Sequence, residues 1–477
     1  MKQLALGQHI YRAACCLLLC MPLLSHANDN IRFSGFASFV TGKSLGDDTF
    51  RGIPDSFELR DMSKLGLRMT ADLGDQLSMT TQMVALGASD YEPEFDWIFA
   101  SYNFTPNLVL HIGKYVTPYF MYSDYVDIGY AYQWTAAPHV VYGRGVNKTL
   151  DGAKLMWSQR IGSWTSELSL MTGTDNSSLS NAGLDTDLVL KDSIGAAWQM
   201  ERDWLSLRAV YLTSSSTVDL TGTQLQADNL LDRILSAENP QTGFNAAQSA
   251  VGELAAQAIT ITADDADAIM SAALNDPSAA DFKNTFSAWD DADVSFTGFG
   301  AALNFSQVFA VAEITEVQFD EIIALGKSTT GYLTLGTYLP RNTSIALTLY
   351  EQRDKASKAF IKDVTNSYAD FNTDPGSDAF AAAFAAASAT DAVTQDGEDA
   401  GTIAGTTLGV MNGFLEGGLE PTVEGIQVDK RQGVSLSGRW DFHSNAALKV
   451  EYLVEDVKNL QAETRPRAIR FGLDLVF

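Results

Sequence analysis

One stretch in the first third of the chain combines many aromatic rings with carboxylates. Its candidate functional side chains recur every one to three positions, at Tyr119, Tyr122, Asp124, Tyr125, Asp127, Tyr130, Tyr132 and Trp134. A loop exposed at a protein surface is not normally this aromatic, because its rings would form a sticky patch. Folded inward, the rings can pack against a wall, and tyrosines can stack on sugar rings or aromatic acids. We therefore expect this segment to face the inside of the molecule.

A second set of candidates is basic and lies in segments where polar and apolar residues alternate. Lys64 and Arg68, for example, alternate with Leu65, Leu67 and Met69. Because successive side chains of a strand point to opposite faces, the basic groups share the face away from the apolar ones. The same reasoning predicts nine basic side chains on polar faces: Arg32, Lys64, Arg68, Lys154, Arg208, Arg431, Arg439, Lys449 and Arg470.

Two interpretations of this basic set stay open. The side chains could line a solute path, or some could form structural ion pairs with carboxylates on the same faces, at Glu167, Glu313, Glu451 or Asp474. The direction in which these basic side chains point is better defined than their role. A charged side chain on a lipid face near the bilayer midplane costs about 2–4 kcal/mol, so the alternation predicts that Arg and Lys point inward.

The elements that must hold these residues are strands, and the pattern is clearest over residues 467–477. Every second residue from Ile469 to Phe477 is apolar, while Ala468, Arg470, Gly472 and Asp474 on the other face are small or charged. A strand of about ten residues with one apolar face is what the wall of a transmembrane β-barrel requires. A strand of an ordinary β-sandwich at the end of the chain is the alternative.

The rest of the chain favours the barrel. About sixteen candidate strands follow one another, joined alternately by tight turns such as Gly74-Asp75 and by longer connections. An even number of strands places both termini on one side of the membrane, with short periplasmic turns and long extracellular loops. The predicted fold is therefore all-β: a transmembrane antiparallel β-barrel in which the aromatic segment is the third long loop, folded into the pore.

The N-terminus predicts export. A basic start, an apolar core and the small-x-small sequence Ser25-His26-Ala27 predict that residues 1–27 are a cleaved signal peptide, leaving a barrel domain of residues 28–477. A lipoprotein signal using Cys20 fits poorly, because the larger Leu19 precedes the cysteine. All three cysteines lie in the removed segment, so we expect no disulfide and no cysteine-based metal site.

The negative charge is concentrated in two segments. The chain has a net charge of -27, which argues against a nucleic-acid partner. Residues 214–291 contain twelve acidic and two basic side chains, and residues 354–427 contain twelve and three. In the barrel topology both are long extracellular loops. Their carboxylates could attract cations, bind divalent ions or keep the surface solvated.

The strand number, the position of the aromatic loop and the terminal Phe477 together resemble the general-porin superfamily of Gram-negative bacteria. The resemblance implies an outer-membrane homotrimer through which ions and small hydrophilic solutes diffuse passively. It also implies that the eight loop residues form the pore constriction, with Asp124 and Asp127 opposite the basic wall. Phe477 would be part of the signal read by the barrel assembly machinery. The implied partners are outer-membrane lipid and small solutes, without a cofactor or bound metal.

Two other functions remain as alternatives. A substrate-specific channel for a sugar, phosphate or another small anion would use the loop tyrosines and the basic wall, whereas a surface receptor or adhesin would use the acidic loops. We expect no enzyme, because His111, His139 and His443 have no recognisable serine or carboxylate pattern around them.

Overall fold

The computed structural model describes most of the chain beyond the predicted signal peptide. It covers residues 30–46, 48–143, 148–178, 187–219, 268–269, 288–319, 326–355, 378–388, 400, 402–404, 406–408, 430–458 and 463–477. The predicted signal peptide and most of both acidic segments lie outside these ranges, so the boundary at residue 27 stays a prediction.

Within the described residues the dominant elements are strands, which all belong to one sheet. They are β1 (Ile31–Leu45), β2 (Lys64–Gly74), β3 (Leu77–Leu86), β4 (Pro93–Thr105), β5 (Leu108–Val116), β6 (Thr149–Ile161), β7 (Trp164–Ser178), β8 (Asp187–Arg202), β9 (Leu205–Asp219), β10 (Ala288–Asn304), β11 (Val308–Phe319), β12 (Lys327–Leu339), β13 (Thr343–Lys355), β14 (Lys430–His443), β15 (Ala446–Lys458), β16 (Glu463–Thr464) and β17 (Arg467–Val476).

The sheet closes on itself. Each long strand pairs antiparallel with its neighbours along the chain, and β1 pairs with β2 on one side and β17 on the other. At this seam the backbones of Gly35 and Phe477 exchange two hydrogen bonds of 2.7 and 2.9 Å. The two-residue β16 only extends the pairing of β15, so sixteen long strands form the wall. The predicted antiparallel barrel of about sixteen strands is confirmed.

Side chains alternate between an apolar outer face and a buried inner face. On β13, Leu347 and Leu349 are 44% and 50% exposed, whereas Ala346 and Thr348 between them are 3% and 1% exposed. A strand of this length, with about 3.3 Å per residue and a tilt of 35–45°, spans roughly 30 Å, which is the thickness of a bilayer core. Such a band of leucines around a closed sheet is the outer wall of a transmembrane barrel.

The connections differ at the two ends of the barrel. At one end the strands meet in tight turns, as between β2 and β3, where Gly74, Asp75 and Gln76 have φ values of 81°, 48° and 68°. At the other end the connections are longer, including residues 46–63 and 117–148. This asymmetry is the one predicted from the sequence.

The predicted acidic segments overlap the strands at their ends. β9 continues to Asp219 and β10 begins at Ala288, so both ends of the first segment lie in the wall, and β13 continues to Lys355, so the second segment begins in the wall. The sequence pattern misses the end of β9 because of its composition: Ser214 and Ser216 point inward while Ser215 and Thr217 point outward. With polar groups on both faces, the strand has no apolar alternation to mark it.

The described regions include two α-helices, α1 (His139–Tyr142) and α2 (Asp378–Ala387). None of the helices in the described ranges is long and apolar enough to cross a membrane.

Candidate functional site

The third long loop, residues 117–148 between β5 and β6, lies against the inner face of the barrel. It contains short 3-10 turns at Ser123–Tyr125 and Gly129–Ala131, followed by α1. Its backbone contacts inward-facing side chains of distant strands. Arg208 of β9 donates to the Pro118 carbonyl at 2.9 Å, and Lys449 of β15 donates to the Trp134 carbonyl at 2.9 Å. The loop is therefore held from several sides of the wall.

Most aromatic rings of the loop anchor it. Tyr119 packs edge-on against Phe296 of β10, with ring centroids 4.7 Å apart. Trp134 is 1% exposed and packs against Tyr332 of β12, and its indole nitrogen donates to Thr348 at 2.8 Å. Burying such rings removes a large apolar surface from water and stabilises the docked loop. Among the predicted constriction residues, Tyr119, Tyr132 and Trp134 are thus packing residues with little solvent contact.

Five charged side chains of β14, β15 and β17 fasten the loop, and we call them the clamp: Arg439, Lys449, Glu451, Arg470 and Asp474. The Lys449 ammonium lies 2.9 Å from Asp474 and donates to the carbonyls of Gly129 and Trp134 at 2.5 and 2.9 Å. Both charged side chains are fully buried. A Cβ at Gly129 would overlap the Asp474 carboxylate and the Ser38 hydroxyl, so glycine permits this close approach.

The other clamp residues act in the same way. Arg470 pairs with Glu451 at 2.8 Å, and Glu451 also accepts from the Thr135 backbone at 3.2 Å. Arg439 donates to the carbonyls of Tyr130 and Tyr132, each at 2.8 Å. For these members of the predicted basic wall, the geometry matches the ion-pair interpretation.

Asp127 lies in an ion cluster with two lysines. Its carboxylate is 3.3 Å from Lys64 and also contacts Lys148, which in turn lies 2.7 Å from Asp96. Burial acts to raise the pKa of Asp127, but Lys148 and Lys64 outweigh it and hold that pKa well below its usual range. With 17% of its side chain exposed, Asp127 secures the loop. The sequence suggested Asp127 and Asp124 as equivalent acids, and the structure separates them.

Three basic residues on β2, β6 and β9 are arranged differently, and we call them the open sector: Arg68, Lys154 and Arg208. Arg68 donates to Gln82 at 3.0 Å, Lys154 to the Val116 carbonyl at 3.2 Å, and Arg208 to Gln199 at 3.0 Å. Within the part of the chain that the structure describes, none of the three has a carboxylate within 4.0 Å.

Asp124 lies beside the open sector. It is exposed, lies in the short turn at Ser123–Tyr125, and interacts electrostatically with Arg68 and Lys154. Its neighbour Tyr125 is 37% exposed. Beside them is a cavity of about 240 Å³ whose lining includes Phe99, His111, Asp124, Lys154, Glu167 and Arg208. Two carboxylates, Asp124 and Glu167, and two cations, Lys154 and Arg208, therefore face a common space inside the barrel, and Arg68 interacts electrostatically with Asp124 beside it.

The remaining predicted residues lie elsewhere. Arg32 is exposed near the tight-turn end of β1, and Arg431 pairs with Glu455 at 3.3 Å. Tyr130 donates to the Ser444 carbonyl at 2.9 Å, and Tyr122 packs edge-on against Trp134.

Sequence reasoning missed several residues that hold the loop. The sequence pattern does not single out Lys148, and it does not single out Asp96, because Asp96 lies where a bulge interrupts the alternation of β4. Glu313 was considered only as an ion-pair partner. It accepts hydrogen bonds from Tyr142 at 2.7 Å, Tyr332 at 3.2 Å and the Met121 backbone at 2.9 Å. A pairing pattern between strands would have been needed to find these contacts.

Metal ligands are not grouped in the described regions: no three His, Cys, Asp or Glu side chains there are arranged to hold an ion.

Comparisons with known proteins give a structural likeness without a sequence relationship. No protein-family model and no curated protein matches the chain. Among solved structures, it is similar to OmpT, an outer membrane protein of Vibrio cholerae (10% identity, 95% of this chain and 99% of that chain, TM-score 0.47). It is also similar to the outer membrane channel DcaP of Acinetobacter baumannii (9%, 94% and 97%, 0.46) and to Salmonella typhi OmpF in complex with daunomycin (10%, 94% and 97%, 0.47). At these identities no residue role transfers.

Proposed function

We propose that the protein is a porin in the outer membrane of a Gram-negative bacterium, through which ions and small hydrophilic solutes diffuse passively. One observation carries the proposal. Inside a closed barrel with an apolar outer wall, an inward loop presents Asp124 to three cations that have no carboxylate partner in the described residues. Charged side chains that face a space inside a membrane-spanning wall can interact with polar solutes. Passive diffusion requires no catalytic group and no cofactor.

The constriction in this proposal is smaller than the eight loop residues predicted from the sequence. Asp124 and Tyr125 border the opening from the loop, while Arg68, Lys154 and Arg208 border it from the wall. The other predicted loop residues serve to hold the loop in place. This division follows from exposure, since Tyr119, Tyr132 and Trp134 are buried and Asp124 is exposed.

We further propose a weak preference for anions. Three cations, Arg68, Lys154 and Arg208, lie around two carboxylates, Asp124 and Glu167, at the opening, although the whole chain carries a net charge of -27. At ordinary salt, electrostatic interactions are screened over about 8–10 Å, so charges at the opening outweigh those of the distant acidic loops. The same proposal includes cleavage after residue 27, a homotrimeric assembly and recognition of Phe477 by the barrel assembly machinery.

The test is planar-bilayer conductance of the purified, refolded protein, with the reversal potential measured across a salt gradient. A general porin should give open steps in groups of three, mild anion preference and no saturation by a sugar or phosphate. Small steps blocked by a sugar, phosphate or another small anion would indicate a channel specific for that solute class. A folded, heat-modifiable barrel without conductance would contradict the proposal and favour a surface receptor or adhesin.

A further inference from the structure

The cavity beside Asp124 has a wall of stacked planar groups. The rings of Trp97 and Phe99 are stacked with centroids 5.7 Å apart and planes 12° apart, and those of Phe99 and His111 are 4.3 Å and 22° apart. The Arg68 guanidinium extends the stack, 4.4 Å from the Trp97 centroid. All three rings line the cavity. Because the stack covers the faces of Trp97 and Phe99, these rings can meet the face of a solute ring with their edges, which is a favourable aromatic geometry.

The same wall contains polar nitrogens without partners. Trp97 Nε1, His111 Nδ1 and Arg208 Nε are buried and have no hydrogen-bond partner in the described part of the chain. The indole and guanidinium nitrogens can only donate. A buried donor without an acceptor costs about 1–3 kcal/mol, so these groups favour a ligand rich in acceptor oxygens. Together with the Lys154 ammonium, they suit a carboxylate.

Two carboxylates line the same space, which argues against a simple anion. Glu167 accepts a hydrogen bond from Ser158 at 3.2 Å, and Asp124 is exposed at the edge of the cavity. With Lys154 and Arg208 they make the lining mixed in charge. An anion without a positive group would leave the negative charges of Asp124 and Glu167 uncompensated. A neutral sugar would compensate neither the negative nor the positive charges of the lining.

We propose that this cavity is a binding site for small zwitterions that carry a flat ring, namely aromatic amino acids. The ligand carboxylate would lie toward Arg208 and Lys154, its ammonium toward Asp124, and the face of its ring against the edge of Phe99. The inference rests on the proposed channel function and deepens it, because it names the solute class for which the open sector is built.

The test compares three matched probes that differ by one charged group. Single-channel current through the full-length protein is recorded with L-phenylalanine, with 3-phenylpropanoate, which lacks the ammonium, and with 2-phenylethylamine, which lacks the carboxylate. Phenylalanine should block at about tenfold lower concentration than either analogue, since each lost ionic contact is worth about 1.4 kcal/mol. Equal block by phenylpropanoate, or no block by phenylalanine, would overturn the inference.

Two variants separate the contacts. Asp124→Asn should weaken phenylalanine block about tenfold and leave phenylpropanoate block no weaker. Phe99→Leu keeps the apolar volume but removes the ring, and it should weaken the block by all three probes. Asp203→Asn, in the exposed turn between β8 and β9, is the matched control and should change none of them. Equal effects of the two Asp→Asn changes would contradict the assignment.

The failure of this inference is distinguishable from that of the proposed function, because both are read from the same recording. Open steps without block retain the channel and exclude the amino-acid site. The absence of any steps from a folded barrel refutes the channel itself.

Discussion

The clamp and the open sector use the same residue types on the same inner face, yet they do opposite things. In the clamp, Lys449 and Arg470 are paired with Asp474 and Glu451 within 2.9 Å. In the open sector, Arg68, Lys154 and Arg208 are held by neutral groups, and Asp124 remains exposed. The comparison teaches that facing inward does not define the role of a charge in a barrel. Its partner on the neighbouring strand does.

The largest expected effect comes from breaking the clamp. Lys449→Met removes the partner of a fully buried carboxylate and the donor to two loop carbonyls. Leaving one member of a buried ion pair without its partner costs about 3–5 kcal/mol, so the free energy of unfolding in urea should fall by that amount. Conductance should also rise as the loop is released.

The matched control is Lys458→Met, which removes an exposed pair with Glu463 at 2.7 Å. It should change stability far less, because solvent screens that pair. Equal losses in the two variants would show that the clamp contributes no more than a surface ion pair.

A second variant tests whether the clamp needs close approach of the loop. Gly129→Ala places a methyl group where Asp474 and Ser38 now lie. Overpacking of this kind costs about 1–3 kcal/mol, seen as a lower unfolding midpoint and a noisier open current. Gly438→Ala is the control, since its Cβ would meet Val450 at an ordinary 3.4 Å. An unchanged current in the first variant would argue that the loop docks without this contact.

The ion cluster at Asp127 predicts a specific pH dependence. Because Lys148 and Lys64 depress the pKa of Asp127 in the folded protein, its contribution to stability is present above its ordinary value of 3.8 and is lost as the pH falls through the lower folded pKa. Asp127→Asn should therefore destabilise the barrel by about 1–3 kcal/mol at neutral pH. The difference from the unmodified protein should shrink only below that ordinary value. A constant difference down to strongly acidic pH would contradict the assignment.

The smallest free-energy effect, but the clearest functional one, is expected in the open sector. Arg68→Glu changes a charge that faces Asp124, so the reversal potential should shift toward cations while stability changes little. Arg341→Glu makes the same charge change in the exposed turn between β12 and β13 and is the control. An unchanged potential for the first variant would remove Arg68 from the solute path.

The sequence was sufficient to predict the strands of the wall but not the side-chain contacts inside the barrel. β3 begins and ends at the predicted residues, Leu77 and Leu86, because apolar alternation and turn residues both mark it. Alternation defines a face, however, and not the partner on the next strand. It could not show that Lys449 pairs with Asp474 while Lys154 donates to a backbone carbonyl.

The loop was less predictable still. Residues 117–148 have no strand period, so nothing in their order distinguishes the exposed Asp124 from the paired Asp127. The stack of Trp97, Phe99 and His111 was also missed, since it joins two strands whose register a single sequence does not reveal. Long-range packing, and not local pattern, decides these positions.

The position of Gly129 has a consequence for the order of assembly. This residue touches Asp474 on β17 and Ser38 on β1, the two strands that meet at the seam of the barrel. The loop therefore has its complete docking surface only after these strands have zipped together. An unclosed intermediate would keep the loop undocked, so docking of the loop would follow closure of the barrel wall.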